Sequence, residues 1–238
     1  MTQVVSLSFF RFGSVSARLW AFAMMGLARR PMARVPGIGF WKLCGSGTGE
    51  GFTPRPNFGV YAILATWPDM DTARAQTNSS IFARYQSKAV ENWTVFLTPT
   101  SARGEWSGVA PFEPAETITP ETQTPGPIAA LTRATVRPGV MHRFWGRVPN
   151  ISEKIGRDPS VLFKLGIGEK PWVQQVTFSI WPNAAAMNNF ARTGPHAEAI
   201  KAVRQHGWFS EELYARFSLV ADQGTWGGAS PITAKDAL

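Results

Sequence analysis

The sequence predicts an α+β protein made of tandem ferredoxin-like repeats that form an intramolecular dimeric α+β barrel. Three observations predict it. First, Gly59–Pro68 reads G-V-Y-A-I-L-A-T-W-P and Val173–Pro182 reads V-Q-Q-V-T-F-S-I-W-P, each leading into a helix-like stretch. Second, further landmarks recur at slowly growing offsets, as loop insertions produce. Trp67-Pro68 and Trp181-Pro182 lie 114 residues apart, Trp93 and Trp208 lie 115 apart, and Trp106 with Gly108 precedes Trp226 with Gly228 by 120. Third, each half reads strand, helix, strand, strand, helix, strand, the split βαβ pattern. Such a sheet carries helices on one face and an apolar second face, which a tandem copy can cover.

The elements follow in order. Val4 to Phe12 is rich in β-branched and aromatic residues and reads as a strand. Val15 to Arg30 reads as a helix, with apolar residues recurring at Leu19, Phe22, Met25 and Gly26. Phe40 to Cys44 and Gly59 to Trp67 are strands; Asp69 to Ala89, directly after a proline, is helical; Trp93 to Thr98 is a strand. The second half offers strand Ile128 to Arg137, helix-like Met141 to Ile155, strands Val161 to Leu165 and Val173 to Trp181, helix Asn183 to Gln205 and strand Leu213 to Val220. Between the halves, Pro111 to Pro127 is rich in Pro, Thr and Glu and reads as an extended linker. The expected organisation is an N-terminal half at 1–110, a linker at 111–127, a C-terminal half at 128–230 and a tail at 231–238.

Composition narrows the function. Of 238 residues, 44% are apolar, enough for a core, and only 17% are charged, below the roughly 25% of an average soluble domain. Ten Trp and sixteen Phe point to an apolar pocket or contact surface. The net charge of +8 favours acidic partners or an anionic membrane surface, while the lack of a basic block argues against nucleic acid. The single Cys44 permits no intrachain disulfide and no cysteine-built metal centre, and fits a cytoplasmic setting. No apolar run approaches the ~20 residues of a membrane span, so the expectation is a cytoplasmic protein with at most peripheral membrane contact.

Three histidines exist, all in the second half: His142, His196 and His206. His196 follows Pro195 at a helix start and shares a face with Ile200 and Val203. An imidazole there suits a metal or haem iron, or a buried hydrogen bond to a carbonyl. His142 is the second candidate ligand, with Arg143 and Arg147 nearby to hold a carboxylate or propionate. His206 closes its helix and reads as structural. The run Cys44-Gly-Ser-Gly-Thr-Gly-Glu-Gly lacks the Gly-Lys-Ser/Thr ending of a phosphate loop. It reads as a pocket-rim loop at Gly45, Gly47 and Gly49, beside which Arg55 could hold an acidic group.

Several segments resemble the spheroidene monooxygenase family, the carotenoid ketolases of purple photosynthetic bacteria. They are Phe9 to Ser14, Ala23 to Arg29, Pro36 to Phe52, Trp93 to Leu97 and Glu211 to Phe217. The resemblance implies a haem-dependent monooxygenase using O2 and electrons from reduced ferredoxin. It would hydroxylate acyclic carotenoids such as spheroidene beside the methoxylated end, then convert the 2-hydroxy to a 2-keto group. More distantly, a doubled barrel is similar to chlorite dismutases, dye-decolorising peroxidases, aldoxime dehydratases and haem-degrading monooxygenases. In that picture haem b iron is held by His196, with His142 as the second choice. Arg55 faces a propionate, and Arg143 or Arg147 stabilises a peroxide. Two alternatives stay open: a cofactor-free monooxygenase of the antibiotic-biosynthesis type, and a non-enzymatic haem or apolar-ligand binding protein.

Overall fold

The fold is seen in a computed structural model, which describes residues 2–49, 53, 55–115, 126–142, 160–192 and 207–232. The first half holds β1 (Val4–Arg11), α1 (Val15–Leu27), α2 (Arg29–Met32), β2 (Trp41–Gly47), β3 (Pro56–Trp67), α3 (Met70–Thr77), α4 (Ser80–Lys88) and β4 (Glu91–Gly104). The second holds β5 (Ile128–Val136), a 3-10 turn (Pro138–Val140), β6 (Phe163–Gly168), β7 (Gln174–Trp181), α5 (Ala184–Arg192) and β8 (Phe209–Gly224). The eight strands close into a barrel in the order β1-β3-β2-β6-β7-β5-β8-β4, antiparallel throughout.

Alternation along the strands divides the core. Val5, Leu7 and Phe9 of β1 point into the lumen with Trp93, Val95, Leu131, Phe163, Phe178 and Phe217. Eight strands leave an interior that side chains just fill. Here rings fill it: Phe9 stacks on Trp93 at 5.6 Å, and Phe163 meets Trp93 at 4.7 Å and Phe9 at 5.2 Å. Outside the first half, Val4, Phe10, Tyr61, Ile63 and Trp67 pack under α1–α4. Both faces of β1 are therefore dry, and its polar residues are paired. Trp67 Nε1 donates to Ser6 Oγ at 2.8 Å, and Thr94 Oγ1 donates to Ser8 Oγ at 2.8 Å.

Several elements differ from the sequence expectation for identifiable reasons. The single helix expected over Asp69–Ala89 is two, α3 and α4. Polar side chains at the break compete for backbone groups: Thr77 Oγ1 donates to Ala73 O, Asn78 Nδ2 to Arg74 O and Gln86 Nε2 to Thr77 O. Strands β4 and β8 run longer than expected because they pair with each other from Trp93↔Gly224 to Gly104↔Leu213. The ladder shifts register around Pro99, which has no N–H to give. Only Met141 and His142 of the expected Met141–Ile155 helix, and only Ala184–Arg192 of the Asn183–Gln205 helix, fall within described helical residues. The linker begins as a strap: Phe112 packs on Phe217 at 5.1 Å, and Gln3 is bonded to both Pro111 O and Glu113 N.

The two long strands end on glycines that their geometry demands. Gly104 (φ 97°) and Gly224 (φ 83°) adopt a left-handed backbone, and a Cβ on either would strike the carbonyl of Glu212 or Asn92. Gly224→Ala is expected to lower unfolding free energy by about 1–3 kcal/mol. Urea titration checks this; an unchanged midpoint would show that the turn tolerates a side chain.

Candidate functional site

The two seams that close the barrel are unequal. β4 and β8 form a long ladder, whereas β2 and β6 share only Gly45↔Gly168 and Ser46↔Ile167. An apolar cleft of about 250 Å³ lies along the short seam. Phe22 and Met25 of α1, Phe58 and Tyr61 of β3, Ile167 of β6 and Trp172 form its walls, and Glu169, Gln174 and Gln175 supply polar groups. Gly45 and Gly47 also line it, although they end β2 and do not form a free loop. Gly49 (φ 66°) lines a second, more polar cleft of about 380 Å³ with Arg11, Arg18 and Trp226.

Each end of the barrel carries the same polar unit. At one end Arg11 pairs with Glu91 at 3.2 Å and lies 4.4 Å from the Trp226 ring, and Glu91 accepts from Gly228 N at 2.8 Å. At the other end Arg133 pairs with Glu211 and lies 5.7 Å from the Trp106 ring, and Glu211 accepts from Gly108 N at 2.7 Å. This second unit is the richer one. Trp106 Nε1 donates to Glu169 Oε2 at 2.7 Å, and Lys42 Nζ meets Glu169 Oε1 at 3.1 Å and Ser107 Oγ at 2.6 Å. Glu169 thus joins the cleft to the buried Arg133, whose side chain is 1% exposed.

Electrostatics follows from this wiring. Burial pushes the Glu211 carboxyl up, but the Gly108 N–H, Arg133 and the Ser107 N–H outweigh it and hold the group below the ordinary carboxylate range. Glu91 behaves alike: burial raises it, and the Gly228 and Gly227 N–H groups, Arg11 and Thr225 lower it further. A depressed folded-state value contributes stability that is complete above the unfolded glutamate range, about 4.3. That stability is lost as pH falls through the folded-state values. Unfolding free energy is therefore expected to decline from about pH 4 downward, and Glu91→Gln with Glu211→Gln should flatten that decline. An equally steep acid limb in the double variant would show that other groups govern it.

The haem reading is corrected by the structure. Among the described residues no group of three or more His, Cys, Asp or Glu could hold a metal ion. His142 is exposed at the surface, and burial together with Glu169 pushes the Cys44 thiol far up, the wrong direction for a thiolate ligand. The residues described do not fit haem b. His196, Arg143 and Arg147 lie outside the described residues. Arg55 is exposed, and its backbone O accepts from Thr48 N at 2.8 Å.

Sequence reasoning missed Lys42, Arg133, Glu169 and Glu211. One signal was available: the offset of 120 that links Trp106 and Gly108 to Trp226 and Gly228 also links Glu91 to Glu211.

No family model matches the chain. It is 52% identical over 233 residues to spheroidene monooxygenase of Cereibacter sphaeroides, covering 97% of this chain and 71% of that protein. It is 50% identical over 234 residues to spheroidene monooxygenase of Rhodobacter capsulatus, covering 98% of this chain and 96% of that one. Among solved structures, an aldoxime dehydratase superposes with a TM-score of 0.58 at 10% identity, over 92% of this chain and 82% of that chain, a likeness of fold alone. The chain is an oxidoreductase of the monooxygenase type. It belongs to the spheroidene monooxygenase family. Among the described residues no helix is long and apolar enough to cross a membrane.

Proposed function

We propose that this enzyme oxidises a methylene near the end of an acyclic carotenoid to a 2-keto group, as a cofactor-free oxygenase of the antibiotic-biosynthesis type. The observation that carries the reading is the seam cleft, with Phe22, Met25, Phe58 and Tyr61 as an apolar grip and polar groups gathered at Glu169. The chemistry balances with O2 alone. Two C–H bonds of the methylene break, one oxygen atom becomes the carbonyl and the other leaves as water, and the methylene carbon supplies all four electrons. A methylene beside a polyene suits this, because charge or spin left on its carbon spreads along the conjugated chain. The protein binds the polyene, orients its end and excludes water.

Oxygen uptake measured against ketone formed tests the reading. One O2 per ketone, with no electron donor added, is expected. Two O2 per ketone with an absolute need for reduced ferredoxin would overturn the cofactor-free route and make ferredoxin the partner.

Repetition of the strand order supports the tandem architecture. The first half reads β4-β1-β3-β2 and the second β8-β5-β7-β6, and each half joins an Arg and a Glu from equivalent strands to a Trp of the other half, with Arg133 two residues from the position that matches Arg11. On this reading halves 1–110 and 128–230 arose by duplication, joined by 111–127 and followed by the tail 231–238.

So apolar a substrate comes from a membrane, and α1 offers the surface to meet it. Of the apolar residues expected to recur on this helix, Leu19 and Phe22 turn outward, 64% and 58% exposed, and Val15 and Leu27 join them at 72% and 70%, while Met25 is half-buried and Ala21 and Met24 face the core. Phe22 meets the half-exposed Phe58 at 5.7 Å, so the stripe runs into the cleft. Residues 1–49 contain six cations and no Asp or Glu, and Arg18, Arg29, Arg30 and Arg34 are exposed around the stripe. An apolar helix face ringed by arginines is what an anionic lipid surface binds. Val15→Glu with Leu19→Glu, both outside the cleft wall, is expected to abolish sedimentation with phosphatidylglycerol vesicles while sparing turnover of detergent-dispersed carotenoid. Undiminished vesicle binding by that variant would rule α1 out as the docking face.

A further inference from the structure

Buried polar atoms without a protein partner are uncommon, because each costs about 1–3 kcal/mol. Among the described residues six are found, and five of them occupy neighbouring positions on two paired strands: Arg133 Nε and Nη2, Thr135 Oγ1, Gln174 Oε1 and Gln175 Nε2. Thr135 is the register partner of both Gln174 on β7 and Glu211 on β8. Arg133 and Thr135 share the inward face of β5 with Ala129 and Leu131. Gln175 turns to the outer face of the sheet, whereas Arg133, Thr135 and Gln174 share the inner face and mark one place at the barrel end where polar groups await a common partner.

The donor geometry says what that partner is. Glu211 engages Arg133 through Nη1. Left unused is the side-on edge of the guanidinium, where Nε–H and the adjacent Nη2–H point the same way. That fork matches two neighbouring oxygen atoms sharing a negative charge. The Thr135 hydroxyl can donate to the same group, and the Trp106 ring below Arg133 and the apolar lumen keep bulk water away. Gln174 also belongs to the cleft wall.

We propose that this barrel end is a binding site for a small oxyanion with two adjacent acceptor oxygens, held on the Nε/Nη2 fork of Arg133 and by Thr135. Two sources share that chemistry: an oxygen anion formed from O2 during turnover, and a free carboxylate. The site adds to the oxygenase reading, but its binding can be measured without substrate, so the two can fail separately.

The test is calorimetric titration of the full chain with formate at constant ionic strength and neutral pH, with chloride as a spherical control. Saturable formate binding, at least tenfold tighter than chloride, is expected. Arg133→Lys keeps the charge and removes the fork; it should weaken formate at least tenfold. Thr135→Val, nearly isosteric, should weaken it several-fold, and Arg11→Lys at the opposite end should leave it unchanged. Circular dichroism confirms that each variant is folded. No saturable formate binding, or equal binding in wild type, Arg133→Lys and Thr135→Val, or equal loss in Arg11→Lys, would overturn the site. Formate inhibition of turnover that disappears in Arg133→Lys assigns the site to the reaction's own oxygen anion. Binding without inhibition assigns it to a free carboxylate.

Discussion

Replacing Arg133 by methionine is expected to lower the stability of the protein by about 3–5 kcal/mol, the cost of removing one partner of a buried ion pair. The guanidinium is fully buried and is the cation that compensates Glu211. Without it the Glu211 carboxylate, whose side chain is 24% exposed, keeps only backbone donors such as Gly108 N–H. The loss belongs to the orphaned charge, not to a missing contact. Arg133→Met combined with Glu211→Gln should therefore recover most of the stability, because two neutral groups of similar volume replace the pair. Denaturant titration of both single variants and the double closes the cycle. Additive losses, with no recovery in the double, would show that Arg133 acts through packing alone.

Trp93→Ala is expected to cost a similar amount, about 3–5 kcal/mol, through the cavity it leaves. Its indole is fully buried in the lumen between Phe9 and Phe163, and its Nε1 donates to Asp222 Oδ2 at 2.8 Å. Neighbouring rings sit on rigid paired strands and cannot collapse into the gap. The variant should bind small apolar guests such as benzene, and that binding should raise its melting temperature. A melting temperature within a degree of wild type would mean that the lumen repacks.

The strand framework was legible in the sequence because it is written in local terms. Val4–Arg11, Pro56–Trp67 and Gln174–Trp181 are β-branched, aromatic segments, and the two Trp-Pro pairs mark where strands give way to helices. Less legible were features that depend on distant pairing. The full lengths of Glu91–Gly104 and Phe209–Gly224 come from their mutual ladder, and their polar outer portions have no strand signature of their own. The split of Asp69–Ala89 hung on a few side-chain-to-backbone bonds. The direction of α1 was also hidden, since a helix apolar on more than one side does not declare which side meets the core.

The candidate site was hidden for a related reason. Scarcity drew attention to histidines, whereas the groups that gather at the barrel end are common residue types. Arg133 sits in an unremarkable run, Leu-Thr-Arg-Ala-Thr, and gains its meaning only when Glu211, Trp106 and Glu169 arrive from three other parts of the chain. The glycine-rich run after Cys44 did mark the cleft, but as the end of a strand and not as a flexible rim.

The unequal seams have a consequence for behaviour in a crowded cell. If the two-pair ladder between β2 and β6 parts, the closed barrel becomes an open sheet with two new edges. Free edges invite pairing with other chains and hence aggregation. The edge released here is a poor template. Gly45 and Gly47 have little β-propensity, the register of β2 against β3 slips between Gly45 and Ser46, and Gly168 ends the opposing strand. The weakest closure of the barrel is thus placed where its rupture exposes the backbone least able to recruit a stranger.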